Sequence, residues 1–523
     1  MSYMKRYIVI IFAVAAAFCL DSCTLDSERY GAINTTVFPA NQEDCEALVV
    51  GNAYAPFRSR SYDGLYCCNH DGVHVLGDMS TDIGDCAWDP SLWSEIIYLN
   101  PDANLTHGVV KLYRNNINGI TKMTNTLERI RGVEMDEAAK KRMEAELYCA
   151  RGWLAYILYD FFGPIQIATE EQLANPEKNV IAPRSSKEET VKFIEDNLLA
   201  ALDGLPVVLE KGDSRYGRFT QALVQMVLMK FYMHEGRWSD AVRCGRELMD
   251  PKYGFTLMSE YADIFTLEIE GNKETIWACE CKKGVNEQLW ITHAMPSDYP
   301  HDNQNLTLWG GGYKVLWSFY NSFDPSDERL KVLIGEYTAT EEQVQADGTV
   351  KQVQVTYNEE NPGRRLAKGA LPIKYGEDPE AIGEGSQIDW IVFRYADALT
   401  LLAEALVREA DAVTSEAVDL LNMVHVRAGL EPYSGFASVQ EFLEAVLLER
   451  GHELWFEGTR REDLIRHGKY IEYSRKYKKS STAADYMVIF PLPQDIINEG
   501  GGIVHQNPGY YPIKSISYEY GNE

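Results

Sequence analysis

Three glutamates near the end of the chain have the residue type and spacing of an acid–base pair. Glu449, Glu453 and Glu457 recur every four residues, so a helix places them on one face. Glycosidases use two carboxylates, but on opposite sides of the scissile bond, whereas these three share one wall. We therefore predict structural ion pairs between helices, each worth about 1 kcal/mol where exposed. The arginines expected to form ion pairs with these glutamates are Arg450, Arg460, Arg461 and Arg466.

A second group of residues has the donor types of a metal site. His70, Asp71, His74 and Asp78 lie within nine positions of the chain. Two histidines four residues apart need a helix to point at one ion, and Asp71 is followed by Gly72, a pair that favours a turn. We predict turn hydrogen bonding here, with no metal and no cofactor.

The elements that must position such residues are mostly helices. Apolar residues follow the helical period over most of the chain, and change to short alternating runs such as 275–281 and 353–357 between about 270 and 390. The predicted fold is mainly α: a frame of helical repeats at 41–265 and 391–470, carrying an irregular insertion rich in loops and short strands at about 270–390. The predicted helices are 41–56, 106–131, 136–162, 187–204, 218–234, 238–249, 391–409, 413–428, 438–457 and 460–468.

One pair of helices shows a repeat pattern. Tyr232, Gly236 and Ala241, with Leu228 one turn earlier, have the spacing of a tetratricopeptide helix pair. Gly236 relieves the turn, and Ala241 lets the second helix lie close to the first. The frame is therefore expected to be tetratricopeptide-like.

The charge balance restricts the partners. The chain has 78 acidic and 50 basic residues, a net charge of −28, which repels nucleic-acid phosphates. Nucleic acid is therefore excluded as a partner. Hydrophobic residues make up 45% of the chain, enough to bury a large core.

The N-terminus has the pattern of an export signal. Lys5 and Arg6 precede an apolar run over 7–20 that is too short to span a bilayer. The segment Leu20–Cys23 resembles the lipobox of a bacterial lipoprotein, although Asp21 departs from the usual residue. We predict a signal peptide at 1–22, lipidation of Cys23, and one unit over 23–523 that is anchored without spanning the membrane. A plain secretory signal is the alternative.

The eight remaining cysteines contain no CxxC pair, which argues against a zinc ribbon or a thioredoxin-like site. Cys67 or Cys68 with Cys86 is the favoured disulfide, because all three lie in one turn-rich stretch of an exported chain. The other cysteines are expected to be small core residues.

Segments of uncommon sequence follow one another in a fixed order in the last third of the chain. Upstream segments such as Phe162-Gly163-Pro164 agree with them. Together they closely resemble the SusD/RagB family of outer-membrane lipoproteins from the Bacteroidota, over nearly the whole mature chain. The segments of the last third are Phe393–Asp397, Val426–Leu430, Glu449–Lys469, Phe490–Pro493 and Gln506–Tyr510.

The resemblance implies a function in binding and no enzymatic activity. It implies a lipid-anchored, surface-exposed protein of the outer membrane that captures an oligo- or polysaccharide and delivers it to a SusC-like TonB-dependent transporter as its lid. An oligopeptide-binding, RagB-like lid is the alternative. A surface glycoside hydrolase is less favoured, because the chain has neither a nucleophile elbow nor an HExxH motif.

SusD-like proteins place their glycan platform before the first long helix and within the insertion, and aromatic residues concentrate in both regions here. Pyranose rings pack their C–H faces on indole and phenol rings. Trp88 and Trp309 lie in polar, flexible settings, whereas Trp317 and Tyr320 are expected in a buried turn; core packing is the alternative for every tryptophan. The predicted ligand-binding residues are Trp88, Trp93, Asn100, Tyr299, Trp309 and Tyr313.

Overall fold

The structure is a computed structural model that describes residues 38–59, 64–68, 72–88, 90–103, 109–174 and 181–510. The predicted signal peptide, the predicted lipidation site Cys23, and His70 and Asp71 lie outside these residues. Within the described ranges, none of the helices combines the length and the apolar composition needed to span a bilayer.

The first half of the chain is a series of helices in which each long helix packs on the next. Helix α4 packs on α5, α5 on α7, α7 on α8 and α8 on α9. A π-helical turn over Val50–Tyr54 extends the first helix. The bounds are α1 Gln42–Val49, α2 Val73–Met79, α3 Pro90–Ile97, α4 Val109–Arg131, α5 Glu137–Phe162, α6 Glu170–Ala174, α7 Lys187–Leu202, α8 Gln221–His234 and α9 Trp238–Leu248.

Local sequence explains where these helices begin and end. Ser186 and Glu189 form a reciprocal capping box at the start of α7, and the Thr220 side chain accepts from the Leu223 N–H at the start of α8. Gly236 has φ +66° in the turn between α8 and α9, a conformation that favours glycine. The helix pair is consistent with the tetratricopeptide pattern, which stays a prediction.

The insertion contains two short helices and most of the strands. The strands pair as four two-stranded antiparallel ladders: β1 with β3, β2 with β8, β4 with β7, and β5 with β6. A small second core lies beneath the β5–β6 hairpin, apart from the main core. The elements are β1 Gly84–Cys86, β2 Thr275–Cys279, α10 Trp290–Ala294, β3 Tyr313–Val315, α11 Trp317–Tyr320, β4 Leu333–Ile334, β5 Tyr337–Val344, β6 Val350–Tyr357, β7 Leu371–Pro372 and β8 Trp390–Arg394.

The chain closes with a second group of helices joined to the first through α12, which packs on α8 and α9 and also on α13 and α14. The bounds are α12 Tyr395–Ala410, α13 Ser415–Arg427, α14 Val439–Leu454, α15 Arg460–Arg466, α16 Tyr470–Tyr477 and α17 Gln494–Glu499.

The mainly α fold class is confirmed, and every predicted helix is present with bounds shifted by a few residues. The one difference in type is at 391–394, which was expected in a helix and is part of strand β8. All five residues of β8 are buried, so the apolar run has no polar alternation that could separate strand from helix.

Candidate ligand-binding site

A short β-ladder brings together two aromatic segments that are far apart in sequence. Strand β1 pairs with β3 so that Gly84 lies opposite Val315 and Cys86 opposite Tyr313. The Ala87 N–H extends the ladder by donating to the Gly312 carbonyl at 2.7 Å. Trp88 follows β1 and Trp309 precedes β3, so the ladder places the two tryptophans side by side.

Trp88 and Trp309 are the predicted site tryptophans that the structure leaves accessible. Trp309 is 49% exposed, and Trp88 is half-buried. The Trp88 indole N–H donates to the Trp309 carbonyl oxygen at 3.2 Å. This bond fixes one indole relative to the other segment, which leaves a partly open aromatic surface at the end of the ladder.

A buried histidine packs against both tryptophans. The ring centroid of His293 lies 5.0 Å from that of Trp88 and 5.6 Å from that of Trp309. Its Nδ1–H donates to the Cys68 carbonyl at 3.1 Å, and burial lowers the pKa of His293 to about 4. His293 is therefore neutral at physiological pH. A lone histidine in a short helix gives no sequence signal, and sequence reasoning missed it.

Trp93 and Tyr313 belong to the same aromatic cluster but are buried, which corrects the prediction that they are exposed ligand-binding residues. Trp93 is 2% exposed and Tyr313 is fully buried. Their ring centroids lie 5.6 Å apart, and Tyr313 lies 5.1 Å from Trp88. They cannot stack on a sugar as expected, and instead they support Trp88 from the core side.

Tyr299 and Asn100 are not brought into the cluster. The half-buried ring of Tyr299 packs on Tyr337, 5.2 Å between centroids, above the second core. Asn100 is exposed after α3, where its N–H donates to the Glu95 carbonyl. Among the described residues, neither hydrogen bonds nor ring contacts join Tyr299 or Asn100 to Trp88 or Trp309. Trp317 and Tyr320, expected in a buried turn, are half-buried in α11.

Gly312 lets the Trp88 indole lie close to the backbone, whereas the sequence predicted a flexible segment after Trp309. A side chain on Gly312 would lie 2.1 Å from the Trp88 ring, so the indole lies directly on the glycine. Both the N–H and the carbonyl of Gly312 are bonded, the N–H to the His293 carbonyl at 2.7 Å. Gly311 has φ +65°. The segment Gly310–Gly312 is thus a tightly held seat for Trp88, which we call the glycine segment.

The three glutamates with acid–base spacing are buried in an ion-pair network. Glu453 accepts from Arg329, Arg394 and Arg427, and each of these four side chains is at most 4% exposed. Glu449 pairs with Arg329, and Glu457 with Arg394 and Lys374. The structural role was predicted, but the identity of the arginines was wrong: they come from the insertion, β8 and α13.

The arginines expected to answer the glutamates have other partners. Arg450 pairs with Asp397 and Asp463, Arg460 with Asp82, Arg461 with Asp160, and Arg466 with Glu404 and Asp463.

The network also has the wrong electrostatics for acid catalysis. Burial alone would raise the pKa of Glu449, but the charges of Arg329 and His425 lower it to about 2. Burial is likewise outweighed at Glu453, where Arg427, Arg394 and Arg329 hold the pKa below its usual range. A glycosidase acid needs a raised pKa. Their lowered pKa values keep these buried carboxylates ionised at physiological pH.

The described members of the candidate metal group are core residues on α2, where turn hydrogen bonding was expected. His74 accepts from the Trp390 indole N–H at 3.1 Å. Asp78 accepts from the Gly458 and Arg460 backbone N–H groups, and burial raises its pKa to about 7. Among the residues that the structure describes, no group of three or more His, Cys, Asp or Glu side chains could hold a metal ion.

The favoured disulfide is not present. Cys86 is a free, buried thiol, so it is bonded to neither Cys67 nor Cys68, and the other seven cysteines of the described chain are buried as well. Burial raises the pKa of the Cys86 thiol to about 12, so it stays protonated. All eight cysteines therefore act as small core residues.

Two family models match the chain. The SusD family model matches residues 270–510, and a model described as starch-binding and associating with the outer membrane matches residues 77–233. That description points to association with the outer membrane. No curated protein sequence matches the chain.

Solved structures with the same fold cover about nine-tenths of the chain. A SusD homologue from Bacteroides thetaiotaomicron has a TM-score of 0.73 at 20% identity, covering 90% of this chain and 98% of its own. Surface glycan-binding protein A from Bacteroides uniformis has a TM-score of 0.70 at 22% identity, covering 89% and 99%. Surface glycan-binding protein A from Bacteroides thetaiotaomicron, in complex with laminarihexaose, has a TM-score of 0.69 at 18% identity, covering 90% and 100%.

Two of these similar structures are named as surface glycan-binding proteins. Their fold matches the helical frame and insertion described above. One family model covers the segment that contains β1, and the other covers the segment that contains β3. The chain belongs to the SusD/RagB family.

Proposed function

We propose that this protein is a lipid-anchored, surface-exposed glycan-binding protein that captures an oligo- or polysaccharide and delivers it to a SusC-like TonB-dependent transporter. The single observation that carries the proposal is that Trp88 and Trp309 are both accessible and linked: the Trp88 indole N–H donates to the Trp309 carbonyl, and both rings pack on His293. We call these two residues the platform. It replaces the six-residue site expected from sequence.

The platform has the properties that sugar stacking needs. Trp309 offers about half of its surface, and its backbone is fixed because its N–H donates to the Thr292 carbonyl at 2.8 Å. Trp88 is backed by His293 and Tyr313, so it keeps its orientation when a ligand arrives. One ring stacked on an indole contributes up to about 1.5 kcal/mol, roughly a tenfold change in affinity, so affinity for a polymer depends on several contacts and on repeated capture.

The family relation supports the ligand class. One similar structure is a laminarin-binding SusD-like protein, and another contains laminarihexaose. The identity is below a quarter, so the sugar bound by this chain is to be determined by experiment. Laminarihexaose is a reasonable first probe, alongside starch, other oligosaccharides and a set of oligopeptides.

The proposal is tested by calorimetric titration of the wild type, Trp309→Ala and Trp88→Ala. We expect an oligosaccharide to bind the wild type, and each substitution to weaken binding about tenfold or more, because a stacking surface is removed. Tyr486→Ala is the matched control: Tyr486 is 36% exposed and packs on Tyr510, away from the described contacts of the platform.

The outcomes separate the alternatives. Unchanged affinity in both tryptophan variants would place the ligand site elsewhere. Binding of oligopeptides and not of sugars would favour the RagB-like alternative. Turnover of the sugar that survives repurification would contradict a pure binding function.

Delivery requires a partner, because a binder anchored by lipid has no route of its own across the membrane. We expect gentle detergent extraction followed by pull-down to recover a SusC-like transporter with the protein. Recovery of the protein alone, from cells in which the adjacent transporter is expressed and intact, would contradict this partnership.

A further inference from the structure

Lys314 is a buried cation beside the platform. It lies in β3 opposite Asp85, and it is 1% exposed. Its ammonium group donates hydrogen bonds to the carbonyl oxygen of Gly311 and, at 3.1 Å, to that of Tyr313. Both carbonyls belong to the stretch of chain that leads from Trp309 into β3. The lysine therefore ties the glycine segment to the strand from its buried side.

Within the described part of the chain, no carboxylate forms an ion pair with Lys314. Asp85, its partner in register, accepts from the Lys368 ammonium at 2.9 Å and from the Cys86 N–H. Burial lowers the pKa of Lys314 to about 7, because the charged form has lost its hydration. A lysine here costs stability that a methionine of similar length would not. The two hydrogen bonds to the Gly311 and Tyr313 carbonyls are the contacts that Lys314 makes in place of an ion pair.

We propose that Lys314 is a positioning residue for the platform. Gly311 stands between Trp309, two residues before it, and Gly312, on which the Trp88 indole lies. A donor that holds the Gly311 carbonyl therefore fixes Gly312, on which the Trp88 indole lies. It also fixes the backbone that follows Trp309. This inference rests on the proposed function, since it gives Lys314 a role in ligand binding.

The test compares Lys314→Met, which keeps the length and removes the donor, with Lys314→Gln, which keeps an N–H donor. Hydrogen exchange is followed at the amides of Trp309 and Gly312, which donate to carbonyls of α10 in the wild type. We expect exchange at these amides to rise roughly tenfold in Lys314→Met, as the segment opens more often, and less in Lys314→Gln. Exchange in helices α5 and α12 serves as the internal control.

A merely structural lysine and a positioning lysine predict different results. If Lys314 positions the platform, Lys314→Met melts at the wild-type temperature or above it, while the glycine segment exchanges faster and laminarihexaose binds about tenfold more weakly. A lower melting temperature with faster exchange throughout the molecule would assign Lys314 a structural role and overturn the proposal.

Two further outcomes are decisive. Wild-type exchange at Trp309 and Gly312 in Lys314→Met overturns the proposal, whatever the affinity. If the wild type binds neither laminarihexaose nor the other sugars, the proposed function fails. The exchange measurement then still decides whether Lys314 holds the segment, so the two failures are distinguishable.

Discussion

At the scale of single residues, the platform depends on the absence of a side chain as much as on the tryptophans themselves. The Trp88 indole lies on the Cα of Gly312, where an added Cβ would come within 2.1 Å of the ring. Aromatic residues attract attention in a sequence, whereas the glycine that makes room for one does not. Gly312 is therefore a sensitive test of the site that leaves both indoles in place.

We expect Gly312→Ala to displace Trp88 and weaken glycan binding about as much as Trp88→Ala, by tenfold or more. The new methyl group must push the indole away, because the backbone of Gly312 is bonded on both sides. Calorimetry with the same oligosaccharide measures the effect. Gly132→Ala is the control, because Gly132 follows α4 and has open space where the Cβ would be added. Wild-type affinity in Gly312→Ala would show that Trp88 is not part of the site.

At the scale of elements, helix α14 is held by charge inside the molecule. Glu453 touches three arginines from the insertion, β8 and α13, so one side chain joins three parts of the chain. The ion pairs depend on one another, because removing one member leaves the other charges buried without compensation.

We expect Glu453→Gln to lower the free energy of unfolding by about 3–5 kcal/mol, because Arg394 and Arg427 lose a buried carboxylate. Denaturant unfolding followed by circular dichroism measures this loss. Glu444→Gln, on the exposed side of the same helix, should change stability by less than about 0.5 kcal/mol. Wild-type stability of Glu453→Gln would mean that the network contributes little.

Much of this element structure was predictable from sequence, because α5 is long, α9 is strongly periodic, and α7 and α8 begin at clear caps. Strand β8 was mistaken for the start of α12, because it is buried on both faces. The site was only half predictable. The polar setting of Trp88 and Trp309 predicted that both are accessible, but nothing in the sequence shows that β1 pairs with β3. That pairing decides which aromatic residues lie outside and which, like Trp93 and Tyr313, lie in the core.

At the scale of the whole molecule, buried neutral histidines link stability to pH. Burial lowers the pKa of His293 from 6.5 to about 4. The unfolded chain therefore binds the proton first as the pH falls, and the contribution of His293 to stability is present above pH 6.5 and is lost towards pH 4. Comparison with a variant that lacks His293 separates this loss of stability from the losses caused by other titrating groups.

We expect the stability of the wild type relative to His293→Gln to fall by about 3 kcal/mol between pH 7 and pH 4. Urea unfolding of both proteins at several pH values gives the difference. Gln retains a side-chain N–H for the Cys68 carbonyl, so it is a conservative replacement. A difference that does not change with pH would mean that His293 does not titrate on unfolding.

The lipid anchor is also a prediction about the whole molecule. We expect Cys23→Ala to abolish acylation, so that the variant no longer fractionates with membranes and is released by washing. Metabolic labelling with a fatty-acid analogue measures acylation directly. Cys45→Ala is a suitable control, because this cysteine is buried in α1. Continued membrane association of Cys23→Ala would contradict the predicted lipoprotein.

The β1–β3 ladder also has a consequence for the order in which the molecule forms. Trp88 and Trp309 are 221 residues apart, so their contact closes a very long loop of chain. Contacts of such high sequence separation are entropically costly and slow to form, while neighbouring helices pair early. The helix pairs α4–α5, α5–α7, α7–α8 and α8–α9 involve no residue beyond Leu248. The platform is therefore expected to be completed late, after these local helix pairs have formed.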